Sequence, residues 1–363
     1  MADLDDRFRD AVRACDRGVF WRPLAGPAEE LRRIADACAD LGIDENDGYG
    51  ERGAVALLEE QVASLLGKPA AVLFISGVMA QQAALRVWCD RSGSRRVALP
   101  DLSHLLHHEE DGPRRLHGFE MEWLTTGRQV PTAERLEAVP GRLGAVLVEL
   151  PLREAGCLLP SWDELVALSA AARTRVVPLH ADGARIWESQ PFWDRPLPEI
   201  AGLVDSIYVS LYKGLAAPSG ALVACDEDVA AELQVWRRRM GGTLYRMTTQ
   251  AVGGLLGLRD ELPRMGEYAA WARRLAAALG ERGFVCFPDP PHTNTFLVHA
   301  AGDPDALNER LLAFTERERL ALSGLWHPTD VPGQVVTELA VHARAVEHDP
   351  DVVAGWFAEV AGV

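Results

Sequence analysis

Short apolar runs along the chain alternate with longer stretches whose apolar residues recur at helical spacing. Within 54–66, Val55, Leu58, Val62 and Leu65 fall on one face of a predicted helix; Ala71-Val72-Leu73-Phe74-Ile75 reads as a compact strand and 78–89 as a second helix. Further strands are predicted at 96–99, 145–148, 176–179, 206–210 and 221–224. Apolar strands separated by helical stretches imply an α/β fold, with a parallel or mixed sheet covered on both faces. Residues 226–283 read as nearly continuous helix, Pro263 apart, and beyond them 294–298 and 335–339 return to strand. The expected organisation is an N-terminal helical segment (1–46), a large α/β domain (47–258) and a smaller C-terminal α+β domain (259–363).

Composition narrows the class. The chain has 363 residues, 48% hydrophobic and 25% charged, enough for a large core. No window approaches the roughly 20 apolar residues of a membrane span, and Met1-Ala2-Asp3-Leu4-Asp5-Asp6 is acidic where a signal peptide is basic and then apolar. A cytoplasmic protein without membrane partners is expected. The six cysteines lie far apart with no Cys-x-x-Cys pair, which speaks against a zinc site and a disulfide framework. A formal net charge of -16 repels polyanions, so no nucleic-acid partner is expected despite Arg237-Arg238-Arg239.

Of the 37 basic residues, two are lysine, Lys68 and Lys213. Arginine cannot form a Schiff base, so a lysine retained in so arginine-rich a chain marks a place where a primary amine is needed. Gly67-Lys68-Pro69 reads as an exposed turn. Lys213 follows the strand 206–210 and precedes a Gly/Ala/Pro/Ser loop; a solvated loop lysine is the alternative to a functional amine. Ligands of such sheets sit at the carboxyl ends of the strands. Two more strand ends carry chemistry: Ser76-Gly77-Val78, whose helix-heading amides form an anion site, and His180-Ala181-Asp182-Gly183-Ala184-Arg185, with a carboxylate and a cation. A lysine, an aspartate to hold a pyridinium nitrogen and a helix N-terminus for phosphate together describe a pyridoxal 5'-phosphate site.

The chain resembles the threonine aldolase and β-eliminating lyase family of the aspartate-aminotransferase-like fold, fold type I. The resembling segments are Asp47-Gly48-Tyr49-Gly50-Glu51, Ser76-Gly77-Val78-Met79-Ala80-Gln81-Gln82, Ser103-His104, 180–185, Lys213-Gly214-Leu215-Ala216-Ala217-Pro218 and Arg238-Arg239-Met240-Gly241-Gly242. The resemblance implies that Lys213 holds the cofactor aldehyde, Asp182 the ring nitrogen, His104 the ring face, Ser76, Gly77 and Val78 the phosphate, Ser210 a further cofactor contact, and Arg185 the cofactor or a substrate carboxylate. For His104 an ordinary helix start is the alternative. Tyr49 and Gln334 are placed beside the substrate.

Three departures bear on the pocket. Val78 stands where the family usually has threonine, Leu152 where it commonly has a second histidine, and Gln334 where it commonly has the arginine that binds the substrate carboxylate. The implied reaction is cleavage of a β-hydroxy-α-amino acid to glycine and an aldehyde, with β-elimination or another amino-acid transformation as one alternative and a catalytically silent binding protein of the same fold as another. A homodimer or homotetramer is expected. Arg237, Arg238, Arg239, Tyr245 and Arg246 either deliver a cation to a neighbouring subunit's phosphate or form a solvated helix face; in the first case Arg246 replaces an arginine expected at Tyr245.

Overall fold

The computed structural model describes residues 2–20 and 26–363; residues 1 and 21–25 of the expected N-terminal segment lie outside the described residues. The chain divides into two units, Gly26–Pro263 and Met1–Ala25 with Arg264–Val363.

In Gly26–Pro263 the apolar runs form one seven-stranded sheet: β1 (Ala70–Phe74), β2 (Arg96–Pro100), β3 (Glu120–Thr125), β4 (Ala145–Glu149), β5 (Leu179–Gly183), β6 (Ser206–Ser210) and β7 (Ala221–Cys225). Their spatial order is β1-β7-β6-β5-β4-β2-β3, and β7 alone runs against its neighbours. Six of the seven strands therefore present their carboxyl ends at one edge of the sheet. Every residue of β4 to β7 is buried, as a sheet covered on both faces requires. Helix α1 (Gly53–Leu66) buries Val55, Leu58, Val62 and Leu66, the last in place of the predicted Leu65, and ends at Gly67 with φ 62°. Helix α2 (Gly77–Ser92) lays Ala80, Ala83, Ala84 and Val87 against Val72, Phe74, Tyr208 and Val223. The alanines bring its axis close to the sheet.

Three differences from the sequence expectation have local causes. Helix α4 (Trp162–Thr174) runs up to 174, Val176 turns through φ 52°, and β5 starts at Leu179 rather than 176; His180 and Asp182 are thus carried on the strand itself. The edge strand β3 was hidden by its polar residues, because only its last two are buried. The stretch 226–283 breaks into Glu227–Arg239 (α6), Thr248–Asp260 (α7) and Met265–Gly280 (α8), with a loop at 240–247. That loop turns at Gly241, φ 76°, and passes so near α2 that a Cβ on Gly242 would lie 2.2 Å from Met79 Sδ.

The second unit holds the antiparallel strands β8 (Val285–Phe287), β9 (Thr295–Ala301), β10 (His327–Pro328) and β11 (Gln334–Ala340) in the order β10-β11-β9-β8. Its core is aromatic: Trp271, Phe296, Trp326 and Phe357 are buried, and Phe20 from the N-terminal segment meets Trp271 edge-on at 6.0 Å. Among the described residues, no helix is long and apolar enough to cross a membrane.

Candidate active site

The parallel register aligns Glu149 of β4 with Asp182 of β5, and Asp182 with Tyr208 of β6. All three are buried. Asp182 Oδ1 accepts a hydrogen bond from the Ala184 amide at 3.0 Å. Burial raises the Asp182 pKa, while Lys213, His104 and Arg185 pull it back; a carboxyl in this position ionises when a cation is brought against it. Lys213 is half-buried just beyond β6. Burial and then Arg185 lower its pKa, opposed by Asp182, Glu149 and Glu188, which favours the neutral, nucleophilic amine. The next residue must be small: a Cβ on Gly214 would sit 2.5 Å from the Glu188 carboxyl carbon, so that buried carboxylate closes over the lysine loop.

At the end of β1, Ser76 caps α2 by accepting from the Met79 amide at 3.2 Å, which leaves the Gly77 and Val78 amides heading the helix. A Cβ on Gly77 would lie 2.2 Å from the Tyr208 hydroxyl. Backbone amides and a buried phenol thus converge on one small volume at a helix N-terminus, where the dipole favours an anion. Ser210 is buried on β6, two residues from Tyr208 on the same face.

His104 heads the short helix α3 (His104–His107). Its amide donates to Glu149 Oε2 at 3.0 Å, and its Nδ1 meets Glu109 Oε1 at 3.2 Å. Gln82 Nε2 donates to the other oxygen of Glu109 at 2.8 Å. The bond to Glu109 raises the His104 pKa against the opposing effect of burial. Glu149 also accepts from the Arg153 amide at 3.1 Å, and burial followed by Asp182 pushes it up to about 7. His180 is buried and spent on structure: Nδ1 meets Ser206 Oγ and Nε2 meets Gln81 Oε1, both at 2.7 Å, and burial pushes its pKa down to about 3.

The Asp47-Gly48-Tyr49-Gly50 segment is clasped to the loop before α7. The buried Asp47 carboxylate accepts from the Gly50 amide, the Met247 amide and Thr248 Oγ1. Arg246 donates to the Asp47 carbonyl and lies over the Tyr245 ring, which meets Tyr49 edge-on at 5.3 Å. Tyr49 and Tyr245 are exposed.

Two expectations are corrected here. Arg237 does not reach toward a neighbour: it is buried, donates to the Leu73 carbonyl at 2.7 Å and pairs with Glu59. Lys68 is not an exposed turn residue, because its Nζ donates to the Val204 carbonyl at 2.5 Å and burial lowers its pKa. Leu152 is wholly buried and pairs through its backbone with Leu158. Gln334 opens β11 of the other unit and is exposed. A separate cleft of about 700 Å³, lined by Trp88, Arg142 and Arg173 among others, lies at the opposite ends of the strands and contains none of these residues.

Sequence reasoning missed Glu109, Glu149, Glu188 and Tyr208. Glu149, at the carboxyl end of a strand, had a readable position; the other three depend on packing.

A primary amine, a buried carboxylate, an imidazole at the same sheet edge and a helix-headed anion cradle suit a phosphorylated aromatic aldehyde with a basic ring nitrogen, and among the described residues the buried Ser103 Oγ next to His104 has no hydrogen-bond partner. The fold and these residues define a pyridoxal-phosphate-dependent enzyme of fold type I. More narrowly, residues 24–303 match the model of the beta-eliminating lyase family, and the chain belongs to that family. It is 27% identical to a probable low-specificity L-threonine aldolase of Schizosaccharomyces pombe over 71% of this chain and 69% of that one. A structure of a putative L-allo-threonine aldolase from Listeria monocytogenes superposes with a TM-score of 0.90 at 30% identity, covering 99% of both chains. A serine palmitoyltransferase of Sphingomonas wittichii, at 15% identity and TM-score 0.64, shares the fold.

Proposed function

We propose that the protein cleaves a β-hydroxy-α-amino acid to glycine and an aldehyde. The observation that carries this reading is the common end of the sheet that Lys213, Asp182 and His104 share: His104 bonds Glu149, Glu149 lies opposite Asp182, and Lys213 follows β6. Bound pyridoxal phosphate supplies an electron-withdrawing ring that stabilises negative charge at the substrate's Cα. Lys213 supplies the amine for its aldehyde. Asp182 would hold the ring nitrogen protonated, the Gly77 and Val78 amides with Ser76 would take the phosphate, Ser210 would add a further cofactor contact, and His104, steadied by Glu109 and Glu149, would lie against the ring. Arg185 supplies a cation for cofactor or substrate carboxylate, and Tyr49 contributes to the substrate side.

The exposed Tyr49–Tyr245 pair and the exposed Val78 support a homo-oligomer, in which the loop bearing Arg246 completes a neighbour's phosphate site. Six widely spaced cysteines with no Cys-x-x-Cys pair agree with a cytoplasmic setting. The test is a panel of amino acids assayed separately for aldehyde, keto acid and ammonia. Aldehyde with equimolar glycine supports the reading; ammonia with keto acid and no aldehyde overturns it.

A further inference from the structure

Cleavage of a β-hydroxy substrate needs a base for the hydroxyl proton, and this inference rests on that proposed reaction. The groups already placed do not supply one. Lys213 serves the cofactor, Asp182 is buried, Leu152 offers no proton acceptor, and His104, its Nδ1 bonded to Glu109, is assigned to the face of the cofactor ring.

A second imidazole stands beside the first. His108 caps the short helix that His104 begins, its amide donating to the His104 carbonyl at 3.0 Å. The two ring centroids are 5.0 Å apart at an interplanar angle of 42°. His108 Nε2 meets Glu154 Oε1 at 2.9 Å, and Arg153 Nη1 donates to the same oxygen at 2.7 Å. The amide of Arg153 in turn donates to Glu149, beside Asp182. A carboxylate at Nε2 selects the tautomer with its proton there, so the Nδ1 lone pair is left to accept; this is the arrangement by which a carboxylate orients a general-base histidine. His107 contrasts with it: its Nε2 meets the Asp101 carbonyl, and no carboxylate orients the ring. The His108 side chain is 43% exposed.

We propose that His108, oriented by Glu154, is the general base that takes the proton of the substrate's β-hydroxyl. The O–H bond breaks and its proton passes to His108 Nδ1. The O–H electron pair becomes the second bond of the aldehyde carbonyl as the Cα–Cβ bond breaks, and the Cα–Cβ pair remains on Cα. A proton returned to Cα completes glycine, so no co-reactant is consumed.

The test separates two reactions of the cofactor-loaded full chain: benzaldehyde release from phenylserine, which needs the hydroxyl proton removed, and exchange of the glycine α-proton in D2O, which does not. In His108→Phe, benzaldehyde release should fall by about 100-fold or more while glycine exchange stays within about threefold. The amount of cofactor fixed by borohydride should match wild type. Glu154→Gln should lower release about 10-fold with the same sparing of exchange. Release that persists in His108→Phe, or release and exchange falling in parallel, overturns the assignment. Wild-type protein that exchanges glycine protons but releases no aldehyde would instead refute the proposed reaction, and the assignment with it.

Discussion

Asp47 belongs to a segment whose resemblance to the family suggested substrate contact, yet in the structure it is a buried clasp. Its carboxylate accepts from the Met247 amide at 2.9 Å, Thr248 Oγ1 at 2.7 Å and the Gly50 amide at 3.3 Å, joining the 47–50 turn to the start of α7. Asp47→Ala removes the acceptor of all three donors. Loss of a helix-start acceptor costs about 1 kcal/mol. The Met247 amide is that helix-start donor; the Gly50 amide lies in a buried residue, and leaving a buried donor unpaired costs about 1–3 kcal/mol, whereas the Thr248 hydroxyl can turn to water. The sum is a destabilisation of about 3 kcal/mol. Asp47→Asn keeps one acceptor oxygen and should lose about half as much. Urea unfolding of the three proteins at a common slope measures both values. A loss below about 1 kcal/mol in Asp47→Ala would show that the clasp is dispensable.

Three other perturbations follow from particular residues. Val176 is a β-branched residue at φ 52° and 90% exposed; Val176→Gly should raise the urea midpoint, by about 0.5–1 kcal/mol in stability, and no increase would contradict the strain. Burial pushes Glu59 up to about 7 from the ordinary 4.5. Between those values the folded protein holds a proton the unfolded chain has released, so this group's contribution to stability is lost as pH rises through the window. Glu59→Gln should flatten that slope between pH 4.5 and 7, and an unchanged slope would remove Glu59 as its source. Asp182→Asn should retain cofactor but slow turnover by about 100-fold or more, and unchanged turnover would displace Asp182 from the ring nitrogen.

The sheet was legible because β4, β6 and β7 each hold at least three consecutive apolar residues and are buried along their whole length. β5 was misplaced because it carries His180 and Asp182, polar groups buried for function and support, so its apolar signal stops where the strand begins. Lys213, Asp182 and Ser76-Gly77 were legible because strand ends in sequence become one sheet edge in space. The Glu109 contact to His104 spans five residues of an irregular turn, and Glu188 reaches the lysine loop only through the packing of its helix against Gly214; neither distance has a sequence period. Arg237 misled for the converse reason: a run of three arginines looks like a solvated face, but the first turns inward to the Leu73 carbonyl.

Lys213 carries the account, and the chain allows an unambiguous test because Lys68 is its one other lysine. The holoenzyme is reduced with borohydride, digested and mapped by mass spectrometry, beside Lys213→Ala treated identically. The expected result is a single pyridoxyl-modified peptide bearing Lys213, absent from the variant together with the visible absorption of the bound cofactor. Modification at Lys68, or a reducible chromophore persisting in Lys213→Ala, would contradict the account.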